Sequence, residues 1–281
     1  MPTAADKRRT FRTLHEQGCF VIPNPWDVGT ARYLEHLGFK ALASTSAGYA
    51  FAQGLPDNAV SRDMVLAHLR EIVNATDVPV NADFEGGFAD APEGVAESVT
   101  LGVATGVAGL SIEDSTGDKD RPLYDFDHAV ARIRAARAAI DATGSGVMLT
   151  ARTEGFLVGR PDIDETIRRL KAFAAAGADC LYAPGLRTRE LMSAVIAAAA
   201  PKPVNIIMSS ALGLTVADLA ALGARRISVG SALSRVVWGA FMRAATAIAK
   251  QGQFDAFAGA VPNADLNALF RADMKTRTPP A

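Results

Sequence analysis

Several short apolar runs in this chain stop at a residue that can do chemistry. Asn24 follows Cys19–Pro23, Ser44 follows Ala41–Ala43, Asp83 closes Val78–Ala82, and Glu113 closes Leu110–Ile112. Arg152 closes Val147–Ala151, and Asn205 closes Lys202–Val204. Asp83 and Glu85 are two apart, so in extended chain they share a side, and Gly86-Gly87 lets the backbone turn beside them. An isolated Asp-x-Glu reads as a cap or a surface charge. A third carboxylate at the next strand end, Glu113, moves the reading toward a hard divalent cation with oxygen ligands, Mg2+ or Mn2+. The small residues Ser44-Thr45-Ser46-Ala47-Gly48 allow backbone N–H groups to approach an anion, although such a stretch is also an ordinary loop. Arg152, after an apolar strand, needs an anionic partner: Asp83, Glu113 or a substrate oxyanion. Asp57, in Gly54-Leu-Pro-Asp57, either covers the pocket or caps the next helix.

These residues need a frame that brings strand ends together. Helix-period segments alternate with the apolar runs: 31–37, 61–74, 92–105, 126–143, 163–176, 188–199, 216–222 and 232–251. Strand–helix alternation implies parallel strands with right-handed crossovers. Four helix ends repeat one pattern, a glycine followed by entry into a strand, at Gly38, Gly106, Gly177 and Gly223. The expected fold is α/β, a (β/α)8 TIM barrel. In that fold the C-terminal ends of the strands carry the active site. The expected organisation is one barrel domain over 1–281, with a short N-terminal helical extension and a mobile tail over 276–281. The segment 232–251 is apolar over a wide arc, Val236, Val237, Ala240 and Phe241 among it. It reads as a buried outer helix or as one that packs on another subunit.

Composition narrows the function. With 281 residues, 49% hydrophobic, the chain can bury a large core, and 29 Lys plus Arg nearly cancel 30 Asp plus Glu. No basic stripe suggests nucleic acid. Residues 1–18 are charged and hold no signal-peptide core, and no run approaches the roughly 20 apolar residues of a membrane span. The expected location is the cytoplasm, with Cys19 and Cys180 as unpaired thiols. All four histidines fall in helical stretches and no cysteine falls in a catalytic loop, which disfavours Ser-His-Asp chemistry. No Walker or dinucleotide motif is present.

Together, Asn24-Pro-Trp-Asp27, Ser44–Gly48 with Gly54-Leu-Pro-Asp57, Asn81-Ala-Asp83-Phe-Glu85-Gly-Gly87, Ile112-Glu113-Asp114 and Ala151-Arg152-Thr153 resemble the isocitrate lyase/phosphoenolpyruvate mutase superfamily. The resemblance spans about Phe20 to Val237. It implies Mg2+ on Asp83, with Glu85 and Glu113 contributing directly or through water. It implies a substrate carboxylate held by Ser44 and the N–H groups of Thr45 and Ser46, with Trp26 lining the pocket and Arg152 at the other end of a 2-oxo acid. Asn205 is carried as a further substrate contact, and Arg152, Asp57 and Glu113 as catalytic candidates. A homo-oligomer, tetramer or dimer, that exchanges its last helix is also implied. Two features depart from the family. The lyases' Lys-(Lys/Arg)-Cys-Gly-His loop is replaced by Ser115–Tyr124, without Cys or His, and their Pro-Glu pair on strand six by Tyr182-Ala-Pro184-Gly185.

The resulting expectation is a lyase-type enzyme that cleaves a C–C bond of a small 2-oxo acid through a metal-stabilised enolate, oxaloacetate decarboxylation for example. Here a chelated cation serves as electron sink. The alternatives are C–P chemistry, as phosphonopyruvate hydrolase or phosphoenolpyruvate mutase, and a barrel that binds 2-oxo acids without turnover.

Overall fold

The computed structural model describes residues 2–277. It comprises two compact units, 2–231 and the segment from Ala232 onward. The first is built on eight parallel strands: β1 (Phe20–Ile22), β2 (Leu42–Ala43), β3 (Val80–Asp83), β4 (Gly109–Glu113), β5 (Met148–Arg152), β6 (Cys180–Tyr182), β7 (Val204–Ile207) and β8 (Arg226–Ser228). Their order is β1-β8-β7-β6-β5-β4-β3-β2. The remaining seam, between β1 and β2, carries a bond from Ala43 N to Pro23 O at 3.0 Å. This is the expected (β/α)8 barrel.

Asn24 clasps the same seam. Its Nδ2 donates to Ser44 O at 2.8 Å, and its Oδ1 accepts from the N–H groups of Val229 and Gly230, both at 2.9 Å. One buried amide thereby ties the segments that follow β1, β2 and β8. Its position just past an apolar run is explained by closure of the barrel.

The outer helices follow the periodic segments closely. They are α2 (Val28–His36), α4 (Arg62–Ala75), α5 (Pro92–Val103), α6 (Phe126–Ala142), α7 (Ile163–Ala175), α8 (Arg189–Ala199) and α9 (Val216–Ala221). Ser61 caps α4 by accepting from Met64 N, and Pro92 occupies the first turn of α5, where no N–H is needed. Residues such as Leu69, Ile72, Val99, Ile133, Leu170 and Phe173 are fully or almost fully buried in the layer between helices and strands.

Two further helices of this unit fall outside the periodic reading. Helix α1 (Ala4–Leu14) carries the capping box Thr3–Asp6 and buries Phe11 with Ala108 and Met148 in a separate small cluster. A Cβ on Gly109 would lie 2.6 Å from a Phe11 ring carbon, so glycine at the start of β4 makes room for that ring. Helix α3 (Ser46–Ala52) begins inside the small-residue stretch that reads as a loop, because Thr45 caps it by accepting from Gly48 N.

Cys180 is buried, Cys19 is half-buried, and both are free thiols. No helix among the described residues is long and apolar enough to cross a membrane.

The second unit holds α10 (Ala232–Gln251), a 3-10 turn at Asp255–Gly259 and α11 (Asn263–Thr276). α10 matches the predicted span, and its apolar arc is solvent-exposed in the single chain: Val236, Phe241 and Met242 are 59–69% exposed. α11 lies beyond the last periodic segment of the sequence, 232–251. Of the segment expected to be mobile, 278–281 lies outside the described residues.

Candidate active site

The strand register sets the site. Glu113 on β4 pairs with Arg152 on β5, Arg152 with Tyr182 on β6, Tyr182 with Asn205 on β7, and Asn205 with Arg226 on β8. Five polar residues thus follow one another from strand to strand around the barrel wall. Arg152 is the centre of the site. Nη1 lies 3.3 Å from Asp83 Oδ1 and 3.3 Å from Glu113 Oε2, while Nε donates to Glu154 Oε1 in a short contact. None of these four side chains is more than 19% exposed, so each charge depends on the others for compensation. Burial alone would lower the Arg152 pKa. The carboxylates of Glu154 and Glu113 outweigh it and hold the guanidinium firmly charged.

Asp83 is anchored from a second side. Its Oδ2 accepts from Ser46 N at 3.0 Å and Ser46 Oγ at 2.8 Å, and its own N–H donates to Ser44 Oγ at 2.9 Å. Of the two N–H groups expected to meet a substrate carboxylate, those of Thr45 and Ser46, the second is taken by Asp83, while Ser44 N bonds Asn81 O. The Ser44–Ser46 segment holds the carboxylate that begins the site. Trp26 is half-buried against the same turn: a Cβ on Gly48 would come 3.3 Å from Trp26 Cβ.

Glu85 has φ 48°, left-handed and unusual for a non-glycine residue. Buried Arg132 on α6 stabilises this turn by donating to the carbonyls of Glu113 (3.0 Å), Ala89 (2.9 Å) and Gly86, the last a short contact. Gly86 passes so close that an added Cβ would sit 3.2 Å from the guanidinium. Glu85 Oε1 is buried without a hydrogen-bond partner. Burial, then the charges of Asp83 and Asp57, push Glu85 up to about 7. Glu113 is also raised, chiefly by burial, with Arg152 pulling the other way. Asp57 is exposed on the loop after α3, close enough for its charge to act on Glu85. Glu85, Glu113 and Asn58 line a cavity of about 260 Å3 together with the start of the 115–124 loop.

Among the described residues no three His, Cys, Asp or Glu side chains converge as a ready-made cation cage. Asp83 and Glu113 meet one guanidinium instead of each other. The set still fits a Mg2+-like ion, which commonly takes one or two carboxylates and fills its remaining positions with water and substrate oxygens. The donors are all oxygen, negative charge outnumbers Arg152, and one buried carboxylate oxygen of Glu85 has no partner.

Asn205 lies deeper than the run-end reading implies, because β7 continues to Ile207. Its Nδ2 donates to Ser228 Oγ at 2.9 Å, and its Oδ1 accepts from Arg226 Nε at 2.8 Å. Tyr49 faces away from the site, stacked on His68 with ring centroids 4.0 Å apart. Tyr182 faces it, its ring centroid 5.2 Å from the Arg152 guanidinium carbon.

Sequence reasoning missed Glu154, the tightest partner of Arg152. The signal was present: Arg152-x-Glu154 has the same two-residue spacing as Asp83-x-Glu85. Arg132 and Arg226 gave none, since their partners come from distant segments. Asp114 is structural. Its carboxylate accepts from Glu154 N (2.9 Å), Thr153 Oγ1 (2.8 Å) and Arg169 Nη1 (3.1 Å), which fixes the chain just past Arg152. The 115–124 segment folds back on itself through an antiparallel bridge between Ser115 and Leu123.

With this geometry in place, comparison with known proteins gives a consistent answer. The family model for phosphoenolpyruvate phosphomutase matches residues 11–249. A crystal structure from Burkholderia cenocepacia J2315, provisionally described as a lyase/mutase, is 49% identical, with a TM-score of 0.91 over 95% of this chain and 96% of that one. Oxaloacetate decarboxylase of Paraburkholderia xenovorans is 32% identical over 80% of this chain and 75% of its own. Oxaloacetate acetylhydrolase bound to its product oxalate is 28% identical, with a TM-score of 0.85 over 98% of each chain.

Proposed function

The chain belongs to the phosphoenolpyruvate mutase/isocitrate lyase superfamily of lyase-type enzymes, and from that premise we propose that it cleaves a C–C bond of oxaloacetate or a closely related 2-oxo dicarboxylate with the aid of Mg2+ or Mn2+. The observation that carries the reading is Arg152, a charged guanidinium at the barrel mouth shared by Asp83, Glu113 and Glu154. Two relatives, an oxaloacetate decarboxylase and an oxaloacetate acetylhydrolase, support the substrate class.

In this reading Asp83, Glu85 and Glu113 hold the ion, in part through water. A bound divalent ion supplies Lewis-acid stabilisation of the enolate left when the bond breaks. Arg152 meets a substrate carboxylate or the developing oxyanion, a fixed positive charge placed before the reaction begins. Glu154 orients Arg152 through its Nε, and Asp114 fixes Glu154 through its backbone N–H. Trp26, Ser44, Thr45 and Ser46 form the wall over which the substrate lies, Asn205 contributes from β7, and Asp57 closes over it. The exposed apolar arc of α10 supports exchange of that helix within a homo-oligomer, tetramer or dimer.

The test is a product analysis with Mg2+ present. Oxaloacetate should disappear, yielding pyruvate if CO2 leaves, or oxalate and acetate if water attacks C2. Chelation should stop the reaction. Phosphate release from phosphonopyruvate without oxaloacetate turnover would replace this reading with C–P chemistry. Oxalate binding with no turnover of any oxo acid would replace it with a binding role.

A further inference from the structure

We propose that the Tyr182 hydroxyl is the acid that returns the proton to the enolate carbon, held in place by Ser228 and Asn205. The inference rests on the C–C cleavage reading and goes further by naming the group that completes it. Four observations lead to it.

The usual proton carriers are placed elsewhere. His15, His36, His68 and His128 belong to α1's end, α2, α4 and α6, and the 115–124 loop contains neither His nor Cys. Cys180 is buried, with its thiol pushed up by that burial. Ser46 Oγ is donated to Asp83, Ser44 Oγ accepts from Asp83 N, and Tyr49 turns toward Met64. The carboxylates beside Arg152 serve as metal ligands or guanidinium partners.

Tyr182 sits at the reacting level. It is the strand neighbour of Arg152, and its ring lies against the guanidinium. Any carboxylate or oxyanion on Arg152 is therefore beside this ring.

The hydroxyl is held from below by a directional chain. Arg226 Nε donates to Asn205 Oδ1 at 2.8 Å, and Asn205 Nδ2 donates to Ser228 Oγ at 2.9 Å. The Ser228 hydroxyl lies close enough to the Tyr182 oxygen to favour its phenolate form. Because Ser228 Oγ accepts from Asn205, its own proton is available for that oxygen. Tyr182 then receives one hydrogen bond from the protein and keeps its O–H proton for another acceptor.

The charge state is correct. Burial raises the phenol pKa well above its ordinary value, so the group enters the reaction protonated. The step balances: the electron pair of the enolate C=C forms the new C–H bond, and the Tyr182 O–H pair stays on oxygen. The resulting phenolate is stabilised by Ser228 and by neighbouring Arg152, and solvent reprotonates it when product leaves.

Microscopic reversibility supplies the test. Wild-type enzyme with Mg2+, in D2O, should exchange the methyl protons of added pyruvate, read by proton NMR. Tyr182→Phe should lose that exchange by about 100-fold or more, the usual worth of a positioned acid or base. Its rate of oxaloacetate disappearance should fall by a clearly smaller factor, because the enolate can leave the site and take its proton from solvent. The ratio of the two rates is the readout, and a general loss of packing would lower both together. Ser228→Ala, with the phenol intact, should lower the ratio in the same direction and serves if Tyr182→Phe does not fold. Exchange at the wild-type rate in both variants overturns the assignment, as does wild-type enzyme that cleaves oxaloacetate but never exchanges pyruvate. Wild-type enzyme that leaves oxaloacetate intact overturns the cleavage reading itself, and this assignment with it.

Discussion

Asp83 Oδ1 and Arg152 Nη1 meet at 3.3 Å across an intervening strand, since β4 separates β3 from β5. The contact is possible because both side chains leave the strand ends toward the barrel axis, where non-adjacent strands converge. It joins the residue that would hold a cation to the residue that would hold the substrate. A change in either one is therefore felt by both.

Arg152 tests the site's division between charge and shape. Removing it as Arg152→Ala leaves Asp83, Glu113 and Glu154 without their shared counter-charge. Breaking a buried pair costs about 3–5 kcal/mol, with the lower end expected for side chains that keep some solvent contact. Turnover should fall by about 10^2-fold or more, as when a fixed oxyanion partner is lost. Arg152→Lys should recover much of the melting temperature and little of the turnover, because an ammonium cannot serve three carboxylates with a planar fork. Thermal melts run beside steady-state assays separate the two effects, and equal recovery of both would reduce Arg152 to a point charge.

Asp83→Ala should abolish Mg2+-dependent binding of oxalate, read by calorimetry with and without chelator. Ser46 and Arg152 would each lose a partner, so a modest drop in melting temperature is expected too. Unchanged oxalate affinity would remove Asp83 from the ligand set.

Local patterns explain what the sequence revealed. The strand ends at Asp83, Glu113 and Arg152 and the helix at 232–251 were legible because apolar runs and helical periods are short-range signals. Helix α3 was hidden because its first turn is made of Ser, Ala and Gly, residues typical of a loop. α1 was legible only as an extension, since its one buried apolar residue, Phe11, shows no period. Asn205 was placed at a lip and lies inside because the run after Pro203 continues beyond it. Arg132 and Arg226 make contacts up to 145 residues away in sequence, and no window along the chain can contain such partners.

Gly109 gives a packing test remote from the chemistry. In Gly109→Ala the new Cβ would stand 2.6 Å from Phe11 Cε1 and 2.7 Å from Asn81 Oδ1, with the Met148 carbonyl at 3.2 Å. The ring and the amide cannot both yield, so overpacking should cost about 1–3 kcal/mol. Chemical denaturation should show the loss. Phe11→Ala in the same background should make the cost of the extra methyl smaller, since the ring is then gone. Additive costs would show that Phe11 does not press on Gly109.

His15 predicts how the fold responds to acid. Its ring is buried at the end of α1, edge-on to Phe11 and to Phe20, with Nδ1 2.7 Å from Phe11 O. Burial, reinforced by the charge of Arg226, lowers its pKa from 6.5 to about 3. The unfolded chain therefore takes up this proton first as pH falls. The neutral ring costs nothing above pH 6.5, and stability declines from there down toward pH 3. At pH 5 the imbalance amounts to about 2 kcal/mol. His15→Phe removes the titrating group and keeps an aromatic ring between Phe11 and Phe20. Its absolute stability can move either way, because the bond to Phe11 O is lost. The slope between pH 7 and pH 5 should nevertheless flatten by about 2 kcal/mol relative to wild type, as read from urea denaturation at each pH. Parallel slopes would show that the ring is already charged, or solvated, in the folded protein.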